Sequence, residues 1–173
     1  MGRKGRVDLR NQPKAEMTPR YAQNTTVSVE KSKAEIERLL LRHGAAQFAT
    51  GLDVATHTAF VRFKYSNIPF HMTLVLPDPE SKEFWETSKY GKRRTRPAAL
   101  ALWEQSCRQR WRALLIYIKG TLEAIELGII QFDSAFVGFT LLPSGSTVAE
   151  WIAPQVGEMV QSGRMPQLIT GEQ

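Results

Sequence analysis

A chain of 173 residues and 19.6 kDa is long enough for one ordinary hydrophobic core and short for two. Hydrophobic residues at 42% and charged residues at 23% exclude wholesale disorder, and no apolar run approaches the roughly 20 residues of a membrane-spanning helix. The net charge of +6 points to an acidic partner, while the single cysteine, Cys107, excludes an internal disulfide and no Cys or His pair has the spacing of a zinc site.

The excess charge is concentrated at the start. Arg3, Lys4, Arg6, Arg10, Lys14 and Arg20 stand against Asp8 and Glu16, which puts +4 in the first 26 residues and leaves +2 for the rest. With Pro13, Pro19 and almost no apolar periodicity, residues 1–26 are expected to form a disordered basic arm. No apolar stretch follows the charged opening, so neither a signal peptide nor an anchor is predicted and a cytoplasmic location is expected. Arg6 stands where a myristoylation site at Gly2 would need Ser or Thr. A single α+β domain is expected over residues 27–165, followed by a tail over 166–173.

Ser32 and Glu35 have the spacing of a capping box, and Ile36, Leu39 and Leu40 follow at helical steps before Gly44, which predicts a helix over 33–43. The period then changes to two. Ala59, Val61, Phe63 and Tyr65 alternate with Phe60, Arg62 and Lys64, and a two-residue turn at Ser66 and Asn67 leads into a second alternating run over 68–76. With a shorter strand over 47–52, this gives a three-stranded antiparallel meander whose outer face carries Arg62, Lys64 and His71.

Residues 77–96 read as a long flexible connection containing Lys89, Lys92, Arg93, Arg94 and Arg96. Pro97 suits a first helical turn, and Leu100, Trp103, Cys107, Trp111, Leu114, Ile118, Leu122 and Ile125 form the stripe of a long amphipathic helix to about Glu126, with Gly120 a candidate bend. Burial against the sheet explains that stripe, and its heptad-like steps make a homodimer the alternative. Phe132 to Leu142 fits a helix or a strand equally. Thr147 and Glu150 then repeat the capping-box pattern and open a last helix to about Gln161, weakened or kinked at Pro154.

The strongest functional signal is the distribution of basic residues. Arg62, Lys64, Lys89, Lys92, Arg93, Arg94 and Arg96 are candidate nucleic-acid contacts, because cations clustered on one surface release counterions from a phosphate backbone; otherwise they form a solvated surface. Arg108 and Arg112 share a helix face one turn apart and either clamp phosphate or pair with acids such as Glu104. Phe60 and Tyr90 are the aromatics placed to stack on bases, unless the core takes them.

Signals for catalysis are weak. Asp53, His57, His71 and Asp78 would have to converge to hold a metal, isolated histidines commonly being hydrogen-bonded structural residues. Cys107 falls on an apolar helix face, where a thiol packs rather than reacts. No nucleophile elbow, phosphate-cradling glycine loop or dinucleotide fingerprint occurs, so a non-catalytic protein without cofactor or metal is expected.

The order helix, three antiparallel strands, helix over residues 33–107, with Gly91-Lys92-Arg93-Arg94-Thr95-Arg96-Pro97-Ala98-Ala99-Leu100 opening the second helix, resembles the double-stranded-RNA-binding domain. That family grips phosphates with the basic start of its second helix. The chain departs from it in its longer connection, its proline and its longer helix. Val29 to Gly44 and Trp103-Glu104-Gln105-Ser106-Cys107-Arg108-Gln109-Arg110-Trp111-Arg112-Ala113-Leu114-Leu115 resemble an uncharacterised family of small proteins from prophages and other bacterial mobile elements.

The second resemblance implies a bacterial cytoplasm and a phage or mobile-element setting, and carries no site residue. The expectation that follows is a nucleic-acid-binding accessory protein making sequence-independent backbone contacts, through DNA or RNA. The alternatives are a protein-interaction module that inhibits a host defence system through apolar surface, or a pocket that sequesters a small nucleotide with Arg62, Lys64 or Arg108 on its phosphate.

Overall fold

The computed structural model describes residues 25–87 and 91–163. Lys89, Tyr90, nearly all of the expected arm and the expected tail lie outside the described residues.

Helix α1 (Val29–Arg42) begins a turn earlier than the pattern at Ser32 predicts. Ser28 is its N-cap, the hydroxyl accepting from the Lys31 amide at 3.1 Å. Ser32 is instead a core position: it is fully buried, and its Oγ is satisfied by donating back to the Ser28 carbonyl at 3.2 Å. At the other end Gly44 adopts φ +92°, a conformation that costs a glycine little.

Strands β1 (Phe48–Asp53), β2 (Thr58–Tyr65) and β3 (Ile68–Val75) form the expected antiparallel meander, in the order β1-β2-β3. Ser66 and Asn67 both have positive φ, the signature of the tight turn whose twist matches the strands it joins, and this fixes Tyr65 opposite Ile68. Alternation then sends Ala59, Val61, Phe63, Phe70 and Met72 to one face, where they are buried. Ile36, Leu39 and Leu40 of α1 join them there, with Trp111, Leu115, Ile118 and Leu122 of α3 (Arg96–Glu126). Each of these large side chains contributes about 1.5–3 kcal/mol by leaving water. Arg112 of α3 also reaches Glu35 of α1 at 3.2 Å. Helices α1 and α3 therefore share the inner face, and α3 runs through Gly120 as one helix.

Where the sequence predicts a long flexible connection, the described residues 77–87 and 91–96 form a folded elbow. Its centre is α2 (Lys82–Trp85), which buries Phe84 and fixes the Trp85 indole by an Nε1 donation to the Pro79 carbonyl at 2.8 Å. A helix of four residues leaves its terminal carbonyls without intrahelical donors. Arg94 supplies them: its guanidinium donates to the carbonyls of Glu83, Phe84 and Glu86, and its amide to that of Trp85. Trp103 Nε1 donates to the Pro77 carbonyl at 2.9 Å and ties the elbow to α3.

The segment that fits helix or strand equally divides between the two. Phe132 and Phe136 lie one turn apart on α4 (Phe132–Phe136), and their rings pack on Tyr65, Phe70 and Phe63. A 3-10 turn over Val137–Phe139 follows, and Leu141 then donates its amide to the Pro69 carbonyl at 2.8 Å, beside the outer edge of β3. Helix α5 (Val148–Ser162) opens on the expected capping box of Thr147 and Glu150 and carries Pro154 inside it. None of its residues is buried, and Trp151, Ile152, Val156 and Val160 are exposed. No helix among the described residues is long and apolar enough to cross a membrane.

Candidate nucleic-acid interface

With α1 and α3 on the inner face, the outer face of the sheet is where β2 and β3 present their polar residues. Cross-strand register places Ala49, Arg62 and His71 in one row and Gly51, Phe60 and Thr73 in the next. The two small residues of β1 decide what this surface looks like. A Cβ on Gly51 would lie 2.2 Å from Phe60 Cζ, so the Phe60 ring lies across the bare backbone of β1.

Arg62 rests on that ring. Its guanidinium carbon is 4.9 Å from the Phe60 centroid, and its Nε–H donates to His71 Nδ1 at 2.7 Å. The His71 ring is itself 5.4 Å from Phe60. Nδ1 is thus an acceptor, and the imidazole is neutral in this arrangement. Burial holds the His71 pKa below the ordinary histidine value, the Arg62 charge lowers it further, and the Glu150 carboxylate opposes both. Arg62 itself is exposed and has no carboxylate partner among the described residues, so its two terminal amino groups remain available. Lys64, one row along, also lacks an ion pair among the described residues. A groove of about 560 Å³ runs past both, lined by Gln47, Ala49, Arg62, Lys64, Asn67 and Leu141 among others.

The other expected contacts are placed differently. Arg94 turns its Nη1 amino group to the elbow carbonyls. Lys92, Arg93 and Arg96 are exposed on the elbow, Arg93 with its guanidinium carbon 5.7 Å from the centre of the Trp85 ring. Arg108 is held by Gln105 Oε1 at 2.7 and 3.0 Å and lies 3.7 Å from Glu104, while Arg112 bridges to α1. Arg108 is thus held along α3, and Arg112 links α3 to α1.

The four residues weighed as a metal site do not converge. Asp53 accepts from the Ala55 and Thr56 amides in the β1–β2 turn, and hydrogen bonding from Thr56 and Ala55 lowers its pKa. His57 lies 3.6 Å from Asp78, and His71 belongs to the outer-face cluster. No group of three or more His, Cys, Asp or Glu among the described residues is arranged to hold a metal ion. Cys107 is buried, which pushes its thiol pKa up and suits packing.

Sequence reasoning found Phe60, Arg62, Lys64 and His71 through period-two alternation. It missed Gly51, whose signal is a glycine inside a strand, and Trp85, which carries no signal outside its fold. No protein-family model matches the chain, and neither a curated protein nor a solved structure matches it.

Proposed function

We propose that the protein binds nucleic acid through the outer face of its sheet, making sequence-independent contacts to the phosphate backbone. The observation that supports this most is the mounting of Arg62. Phe60 supports the guanidinium from below and His71 takes its Nε–H, which leaves a pre-oriented pair of amino groups with no carboxylate partner among the described residues. Such a group makes charge-assisted, bidentate bonds to a phosphate at little cost in side-chain entropy, and its flat upper face accepts a stacked base. Lys64 adds a second charge along the same groove. In the mobile-element setting that the sequence resemblance implies, this is the activity of an accessory protein of DNA or RNA transactions.

The test is binding of the full chain to fluorescent single-stranded DNA, duplex DNA and duplex RNA across a salt series. Affinity is expected to fall steeply with salt, and the Arg62→Ala/Lys64→Ala variant is expected to flatten the slope by about one for each phosphate that is no longer neutralised. A chain lacking residues 1–26 separates the sheet from the arm. An unchanged slope in the double variant would remove the sheet face from the interface.

The exposed apolar positions of α5 favour a second function, a protein-interaction module. Affinity for such a partner would resist salt and would be lost on Ile152→Asp/Val156→Asp.

A further inference from the structure

The elbow before α3 holds a second cluster, apart from the sheet face, whose chemistry is more selective than charge. Trp85 is half-buried, and with its N–H committed to the Pro79 carbonyl the plane of its indole is fixed. Two adjoining clefts meet at this ring. One of about 540 Å³ is lined by Glu80, Trp85, Arg93, Arg94, Arg96 and Leu100. The other, of about 280 Å³, shares Glu80, Trp85 and Arg93 and adds Lys82, Glu86 and Gly91. The larger cleft is within the range of roughly 300–1,000 Å³ that small ligands occupy.

The groups around the ring differ in what they are free to do. Arg94 directs its Nη1 amino group to three backbone carbonyls and so holds the walls. Arg93 lies over the indole, and neither it nor Arg96 has an ion pair among the described residues. Glu80 is also without an ion pair among the described residues, although it lines both clefts beside these arginines. Carboxylate and guanidinium groups that share a cleft without pairing leave one acceptor and two sets of donors open beside a fixed aromatic face.

We propose that this elbow binds a guanine nucleotide. The base takes the place of the Arg93 guanidinium over Trp85, Arg93 turns outward to hold the phosphates with Arg96, and Glu80 accepts the N1–H and the exocyclic amino group. A carboxylate has two acceptor oxygens and no proton to give at neutral pH, so it matches the paired donors of guanine. Adenine would turn a ring-nitrogen lone pair towards the same carboxylate, and a pyrimidine would cover less of the indole. The same chemistry fits a free nucleotide and the 5′-terminal guanosine of an RNA. The assignment does not rest on the sheet face, whose residues take no part in it.

The experiment is a calorimetric titration of the full chain with GDP, ADP, CDP and inorganic phosphate, with tryptophan fluorescence as a second readout. GDP is expected to bind at least about 10-fold more tightly than ADP or CDP, since losing a hydrogen bond to a charged carboxylate costs about that factor or more. Arg93→Ala/Arg96→Ala is expected to lose GDP binding, Trp85→Phe to weaken it while keeping a ring in place, and Glu80→Gln to abolish the preference over ADP. Arg62→Ala/Lys64→Ala leaves GDP affinity unchanged, which separates this site from the sheet. A 5′-triphosphorylated RNA beginning with guanosine that outcompetes GDP assigns the site to RNA ends, and one that does not assigns it to the free nucleotide. ADP binding as tightly as GDP, or phosphate binding as tightly as either, meaning an adventitious ion only, would overturn the proposal.

Discussion

The outer sheet face and the elbow both carry basic residues and use them in different ways. On the sheet, Arg62 is held by side chains, with Phe60 beneath it and His71 at its Nε, so its outward donors stay open. In the elbow, Arg94 is held by backbone carbonyls, its Nη1 amino group closing the end of α2. A run of arginines in a sequence therefore does not measure a binding surface. What matters is whether the local fold needs the guanidinium itself.

Arg94→Ala gives the largest expected effect and the sharpest test of this contrast. Removing the donors leaves the end of α2 short of partners, at a cost of about 1–3 kcal/mol in urea unfolding, while the salt slope of nucleic-acid binding stays as it was. Unchanged stability with a shallower slope would mean that Arg94 faces phosphate and that the contrast fails. Gly51→Ala comes next. Its Cβ has no room under Phe60, so the ring must swing out and take the Arg62 platform with it. The expected outcome is a stability loss of about 1 kcal/mol, at the low end of overpacking because the face is open, together with a loss of affinity close to that of Arg62→Ala. Normal affinity in a folded Gly51→Ala protein would show that the platform is dispensable.

The smallest effect is on His71. Because its folded pKa is lowered, the unfolded chain binds the proton first, and stability is lost as pH falls from the ordinary histidine range through the folded value. NMR titration should show His71 protonating below an exposed histidine, and Arg62→Ala should bring it back towards the ordinary value. An unmoved His71 in that variant would uncouple the pair.

Much of this fold was legible because two periods run cleanly through the chain. Alternation from Ala59 to Leu74 fixed the strands, their turn and the outward position of Arg62, and helical steps from Leu100 to Ile125 fixed α3. Local signals misled where a tertiary contact competes with them. Ser32 fits a cap by spacing, yet the core takes it and Ser28 caps instead. The elbow was illegible because what organises it is long-range in sequence: Arg94 reaches back to Glu83, and Trp103 to Pro77. The same holds for the candidate sites. Arg62 and Lys64 follow from pattern, whereas the setting of Trp85 between Glu80 and Arg93 exists only once the elbow has closed.

Helix α3 has one more property, which is its length. At 31 residues and about 1.5 Å per residue it measures about 46 Å, well beyond the roughly 27 Å of an eight-residue strand. It therefore projects past the sheet it covers and works as a ruler, with the elbow at its first turn and α4 following its last. Any ligand that engages the elbow is held at a set distance from the C-terminal helices, and dyes at Ala98 and Glu123 should report the same separation whether or not that ligand is bound.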